Sequence, residues 1–293
     1  MYLARHWREV SEYRWIVDWA RLAAASGLVV AGYSGYVLAW RRLLCAFGGS
    51  LSIVDAHRIW YLGNLGRYVP GKIFQLAGTA YMARAKGVSP VVTVAASVTA
   101  QLFVLGGALV VAGLLLPTVA AGPGRALVVA GALAAALFAV VTLSPLFDVL
   151  HRFALQTVGR PELHIRVPLA ERLLGLAATS ALIGAYGFAF YLFVTAVTTA
   201  PRGAILPLVG VNAIAYLAGY LAVFAPGGLG VREGVYALLL GAYIPASIAV
   251  AVAILARLWL TLCELAVVVL LVVRYGIGDL RSATETTPRT IHG

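Results

Sequence analysis

Long runs of apolar residues, nearly free of charge, constrain this chain more than any motif in it. A helix needs about 20 such residues to cross the hydrocarbon core of a bilayer. Runs of this kind occupy 22–40, 91–115, 126–143, 173–197, 205–223 and 246–273. A transmembrane barrel would instead show roughly ten-residue segments of alternating polarity. A soluble domain would carry about a quarter of its residues charged, whereas 11% of these 293 are charged, 62% are hydrophobic and the mean hydropathy is +0.93. The sequence therefore reads as an all-α, polytopic membrane protein of about seven or eight transmembrane helices. One transmembrane domain covers 22–273, between an N-terminal segment 1–21 and a polar, Thr-rich tail 274–293. A further crossing is assigned to 43–65, although Asp55, His57 and Arg58 interrupt it. Residues 146–160 have the pattern of a helix lying in the membrane interface.

The 22 Lys and Arg against 11 Asp and Glu leave a net charge of +11. In a membrane protein this excess belongs to cytoplasmic loops facing anionic lipid rather than to a nucleic-acid surface. Grouping the basic N-terminal stretch with 67–86 and 152–172 places the N-terminus in the cytoplasm, in a multi-pass protein of the cytoplasmic membrane. Arg274, Arg281 and Arg289 then fall outside unless an eighth segment crosses. Glu9, Glu12 and Asp18 argue against a secretory signal. Cys45 and Cys263 are far apart and have no His or Cys at metal spacing, so neither a disulfide nor a metal is expected. Arg84, Lys86 and His57 read as ordinary interfacial or packing residues.

Two segments, 64–102 and 220–257, resemble one another. The first contains Pro70-Gly71, a short helical stretch and Pro90; the second contains Pro226-Gly227-Gly228, a stretch of similar length and Pro245. Proline lacks a backbone donor and glycine reaches unusual dihedrals, so each Pro-Gly site ends one helix and begins another. At membrane depth such a break survives only against protein or a water-filled cavity. Paired breaks in corresponding halves therefore point to a cavity, with Pro70, Gly71, Pro226, Gly227, Gly228 and Gly230 as hinge candidates. At 100° per residue Lys72, Gln75 and Thr79 share one helical face.

Arg257 lies midway along an apolar span, where an arginine costs about 2.5–3.5 kcal/mol and requires a partner. Glu264 is seven residues on, about 10 Å along the axis, too far to be that partner directly. Glu233, beside Arg232 just after the Pro-Gly-Gly break, is the better structural partner. The functional alternative is that Arg257, with Arg67, Lys72 or Arg232, receives a substrate phosphate.

At NLGRYVPGKIFQ (64–75), ARAKGVSP (83–90) and above all APGGLGVRE (225–233), followed by Arg257, the sequence resembles the flippase-like membrane family typified by the transmembrane region of lysylphosphatidylglycerol synthases. The resemblance covers nearly the whole chain apart from its ends. It implies a lipid-translocating fold acting on a phospholipid or a polyprenyl-linked glycan carrier, without the aminoacyl transfer of the full-length synthases.

Three functions are weighed. The first is a flippase or transporter for an anionic phospholipid or polyprenyl-phosphate-linked lipid. Its head group passes between the two Pro-Gly segments, with Arg67, Lys72, Gln75, Arg232, Glu233, Arg257 and Glu264 lining the path, while the chains stay in lipid. The second is a membrane scaffold recruiting a glycosyltransferase or another envelope-biosynthesis enzyme. The third, an intramembrane enzyme, lacks an HExxH, a GxSxG or a carboxylate pair. No cofactor and no nucleic-acid partner are expected.

Overall fold

The computed structural model describes residues 6–69, 73–119, 125–149, 153, 167–222 and 224–280. Pro70, Gly71 and Lys72, most of the expected interfacial helix 146–160 and the tail from 281 onward lie outside the described residues. A short helix α1 (Trp7–Glu12) precedes α2 (Trp19–Ala46), α3 (Ile53–Asn64), α4 (Ile73–Ala85), α5 (Pro90–Val119), α6 (Arg125–Leu143), α7 (Leu169–Val197), α8 (Ile205–Leu221), α9 (Val231–Leu240) and α10 (Ala246–Tyr275). Helices α2, α5, α7 and α10 are long and apolar enough to span a membrane. The all-α, polytopic reading is confirmed.

The order long, short, short, long occurs twice, before and after α6. Contacts at the two ends of the bundle fix how the helices run. At what we call the proximal end, the Asp18 amide donates to the Ala196 carbonyl at 2.9 Å, joining the start of α2 to the end of α7. The end of α5 belongs to the same end, because Val119 packs in one cluster with Ala25, Ala200, Ala204 and Ile244. At the distal end, Leu43, Leu51, Val88, Phe147, Val167 and Leu280 share a second cluster. That cluster gathers the end of α2, the two bases of the α3–α4 pair, the end of α6, the start of α7 and the end of α10. The hairpin α3–α4 therefore enters from the distal end and returns to it, whereas α8–α9 enters from the proximal end. A single additional crossing, α6, inverts the second repeat relative to the first.

The segment 43–65 is not a crossing. Helix α2 continues to Ala46, the chain turns at Gly48 with φ +88°, and Ser52 caps a new helix by accepting from the Asp55 amide at 3.0 Å. Helix α3 has 12 residues, about 18 Å against a hydrocarbon core of roughly 30 Å. Its charges serve the base of the hairpin. Asp55 pairs with Lys86 at 3.4 Å, and Arg58 donates to the Gly276 carbonyl at 2.7 Å beyond the end of α10. Helix α8, also read as a crossing, is an arm of the second hairpin. Hydropathy does not separate a hairpin arm from a span.

This topology also redistributes charge. Among the described residues, Arg41, Arg42, Arg58, Arg84, Lys86, Arg172 and Arg274 sit toward the distal end, with Asp55, Asp148 and Glu171; Arg8, Arg14, Arg21 and Arg202 belong to the proximal end, with Glu9, Glu12 and Asp18. The N-terminal stretch and the 84–86 loop, grouped on one face by sequence, lie at opposite ends.

The tips of the hairpins are 3-10 turns, Leu65–Tyr68 and Pro226–Gly228, and they touch. The second depends on left-handed backbone at Gly227, Gly228 and Gly230 (φ +58°, +71° and +82°). A Cβ at Gly228 would lie 2.7 Å from the Gly219 carbonyl oxygen of α8, whereas one at Gly230 meets nothing within 4 Å. Gly230→Ala therefore meets no collision and carries only the backbone strain of its positive φ, about 1–3 kcal/mol. Gly228→Ala adds a backbone collision. Thermal unfolding in detergent is expected to rank wild type above Gly230→Ala, and Gly230→Ala well above Gly228→Ala.

Candidate functional site

The tip of the first hairpin is tied to α10 through Glu264, which is 1% exposed. Its carboxylate accepts from Asn64 Nδ2 at 2.5 Å, from the Arg67 guanidinium and from the Tyr68 hydroxyl at 3.4 Å. Gln75 on α4 donates to Asn64 Oδ1 at 3.0 Å. One polar chain thus joins both arms of the hairpin to the middle of a spanning helix. The sequence makes this possible by placing a single carboxylate, seven residues after Arg257, inside an otherwise apolar run.

The second tip is organised by Glu233. It stands in the first turn of α9, where the positive end of the helix dipole favours a carboxylate, and its Oε2 accepts from the Gly230 amide at 2.7 Å. Its other oxygen faces the Arg257 Nε at 3.7 Å. Arg257 pairs with Glu233, as expected from sequence, and its guanidinium also lies over the Tyr68 ring at 5.7 Å. A Cβ at Gly227 would come within 3.0 Å of that guanidinium. Arg257 therefore sits between the tips, touching both.

Arg232 is held differently. Its Nη2 donates to the hydroxyls of Tyr186 and Tyr236 at 2.9 and 2.8 Å, and the rings of Tyr186, Tyr216 and Tyr236 surround it at 5.3–5.7 Å. Tyr236 in turn donates to Asn212 Oδ1 on α8 at 2.7 Å. Oxygens of neutral groups and ring faces hold this cation, with no carboxylate among these contacts.

Arg67, Arg232 and Arg257 line one cavity of about 760 Å³, together with Gln75, Gln101 and Thr261. The carboxylates of Glu233 and Glu264 pack behind the arginines and do not contribute to its wall. The cavity extends from the hairpin tips to the distal end, where Arg42 and Glu171 border it. These two side chains form a bidentate pair at 3.0 and 2.7 Å. Of the residues expected at a site, four (Arg67, Gln75, Arg232 and Arg257) meet at the cavity, and Glu233 and Glu264 support them. Lys86 is engaged at the hairpin base, and His57 bonds the Ile53 carbonyl of its own helix at 2.8 Å.

Sequence reasoning missed Gln101, Asn212 and the tyrosines. Gln101 and Asn212 were detectable as lone amides within long apolar runs, but the 14 tyrosines of the chain gave no comparable signal. Among the described residues no group of His, Cys, Asp and Glu could hold a metal ion.

Fold and site together define a polytopic helical membrane protein in which two opposed hairpins meet at a basic cavity. Over residues 2–286 the sequence matches the lysylphosphatidylglycerol synthase TM region family, and the chain belongs to it. Neither a curated protein nor a solved structure matches it.

Removing one partner from a buried ion pair costs about 3–5 kcal/mol, whereas replacing both by apolar groups is often neutral. Glu264→Ala is expected to lower the unfolding temperature in detergent markedly. The double variant Arg67→Met/Glu264→Leu is expected to recover much of that loss.

Proposed function

We propose that the protein moves an anionic lipid between the leaflets of the cytoplasmic membrane, with the head group passing through the arginine-lined cavity. The observation that carries this reading is the placement of three guanidiniums on one cavity wall, with the carboxylate partners of Arg67 and Arg257 behind them and none on Arg232. Taking a phosphate out of water is costly unless charged hydrogen bonds replace its hydration. Arg232 fits that role best, since its present contacts leave its charge uncompensated by any carboxylate. Arg257 is next, because its pairing with Glu233 is long. Membership in this family supports a role in lipid metabolism or transport, and the cavity makes transport the reading of choice over a scaffold for an envelope-biosynthesis enzyme, which needs no such space.

The inverted repeat supplies a route to switching. The cavity reaches the distal end and is closed toward the proximal end by the joined hairpin tips. Exchanging the arrangements of the two repeats would open the other side, as in transporters built from inverted repeats. The larger number of basic residues at the distal end supports assigning that end to the cytoplasm and the N-terminus to the outside, the opposite of the orientation expected from sequence.

Purified protein in vesicles containing labelled phosphatidylglycerol is expected to speed movement of the label between leaflets. Loss of a charge-assisted hydrogen bond, about 1.5–3 kcal/mol, should slow Arg232→Gln by about tenfold or more. Its unfolding temperature is expected to fall by less than that of Glu264→Ala, since the glutamine amide can still donate to a tyrosine hydroxyl and no buried charge is left unpaired. Equal rates in protein-containing and empty vesicles, across anionic phospholipids and polyprenyl phosphates, would rule the reading out.

A further inference from the structure

The cavity changes character along its length. At mid-depth its wall carries Arg67, Arg232, Arg257, Gln75 and Gln101; toward the distal end it is mainly apolar, with Leu38, Leu43, Leu174, Ala178, Ala181 and Leu182 of α2 and α7 joined by Trp40, Ser97 and Thr179. This apolar limb follows α7 from Tyr186 to Glu171, about 22 Å of helix. Leu38 and Leu174 are 45% and 46% exposed while lining it, so their contacts do not seal this part of the wall. Only beyond them does the wall become charged again, at Arg42 and Glu171.

Water is a poor occupant of such a limb, because an ordered water needs two to four polar partners; leucine and alanine offer none, and Trp40, Ser97 and Thr179 already donate to Ser97, Thr93 and Phe103. A lipid phosphate held at the arginines is covalently joined to its hydrocarbon within a few bonds. With the hairpin tips closing the cavity beneath it, that hydrocarbon must begin inside the protein, and the apolar limb leads away from the arginines. We propose that the limb between α2 and α7 is a binding site for one hydrocarbon chain of the anionic lipid, which revises the expectation that the chains stay wholly in the bilayer. The site rests on the reading of the arginine wall given above. Its affinity comes from the phosphate, since a chain moving from bilayer to protein exchanges one apolar surface for another. The limb allows the chain to accompany the head group to mid-depth.

The test places a photoreactive diazirine side chain at Leu182 in the cavity, or at Val129 on α6, which is 55% exposed, in the full chain reconstituted in phosphatidylglycerol vesicles. Mass spectrometry then locates the adduct on the lipid. Acyl-chain adducts are expected at both positions. At 182 the yield should fall by about tenfold when Arg232→Gln is introduced, and diacylglycerol of the same chain length mixed into the same vesicles should give about tenfold fewer adducts than phosphatidylglycerol at equal concentration. At 129 it should not change. A diazirine at Ala178 repeats the measurement from a second position on the wall.

Absence of acyl adducts at 182 and 178, or adducts there that ignore both the head group and Arg232, would overturn the proposal. Translocation persisting without cavity adducts would remove the chain site and leave the transporter reading. Head-group-dependent adducts without translocation would do the reverse.

Discussion

A backbone broken inside hydrocarbon must find partners for its freed amides and carbonyls within the protein. Every other feature of this fold answers to that requirement. Neither hairpin is long enough to cross, and each ends at mid-depth in a 3-10 turn that would be untenable against lipid. The two tips meet there, and α10 supplies both with charged partners, Glu264 to the first and Arg257 to the second. Because α10 is also the last helix of the second repeat, the repeats are locked together at their most polar level.

The same requirement concentrates charge where a bilayer protein least tolerates it. Two carboxylates neutralise Arg67 and Arg257 from behind, at the cost of holding buried ion pairs whose members cannot be removed singly. Arg232 instead lies among tyrosine hydroxyls and ring faces, an arrangement that fixes the side chain without cancelling its charge. The cavity wall thus stays positive while its supports remain satisfied. A head group carrying one negative charge would complete the electrostatics of the site, which links the packing of the hairpins to the transport reading.

Much of this was legible in the residues. The matched Pro-Gly segments marked the hairpin breaks, the arginine inside an apolar run marked mid-depth, and Glu233 just after the second break stood out as the partner of Arg257. Three things were not. Helix α3 was mistaken for a crossing because a hydropathy window merges it with the end of α2 across the Gly48 turn. The inverted topology was hidden because it depends on the parity of crossings: reading α3 as a crossing reverses every loop from there to α8, where a second misread segment restores the parity. The tyrosines around Arg232 come from α7, α8 and α9, and only the folded chain brings them together.

If the hairpins enter from opposite faces of the membrane, their bases are reached from opposite sides by a label that cannot cross it. With both native cysteines replaced by alanine, single cysteines are placed at Ser50, in the exposed turn before α3, and at Ala242, in the exposed turn after α9. Intact cells and inverted membrane vesicles are then treated with a membrane-impermeant maleimide. The two positions are expected to label from opposite sides, with Ala242→Cys reacting in intact cells and Ser50→Cys only in inverted vesicles. Labelling of both from the same side would contradict entry from opposite faces.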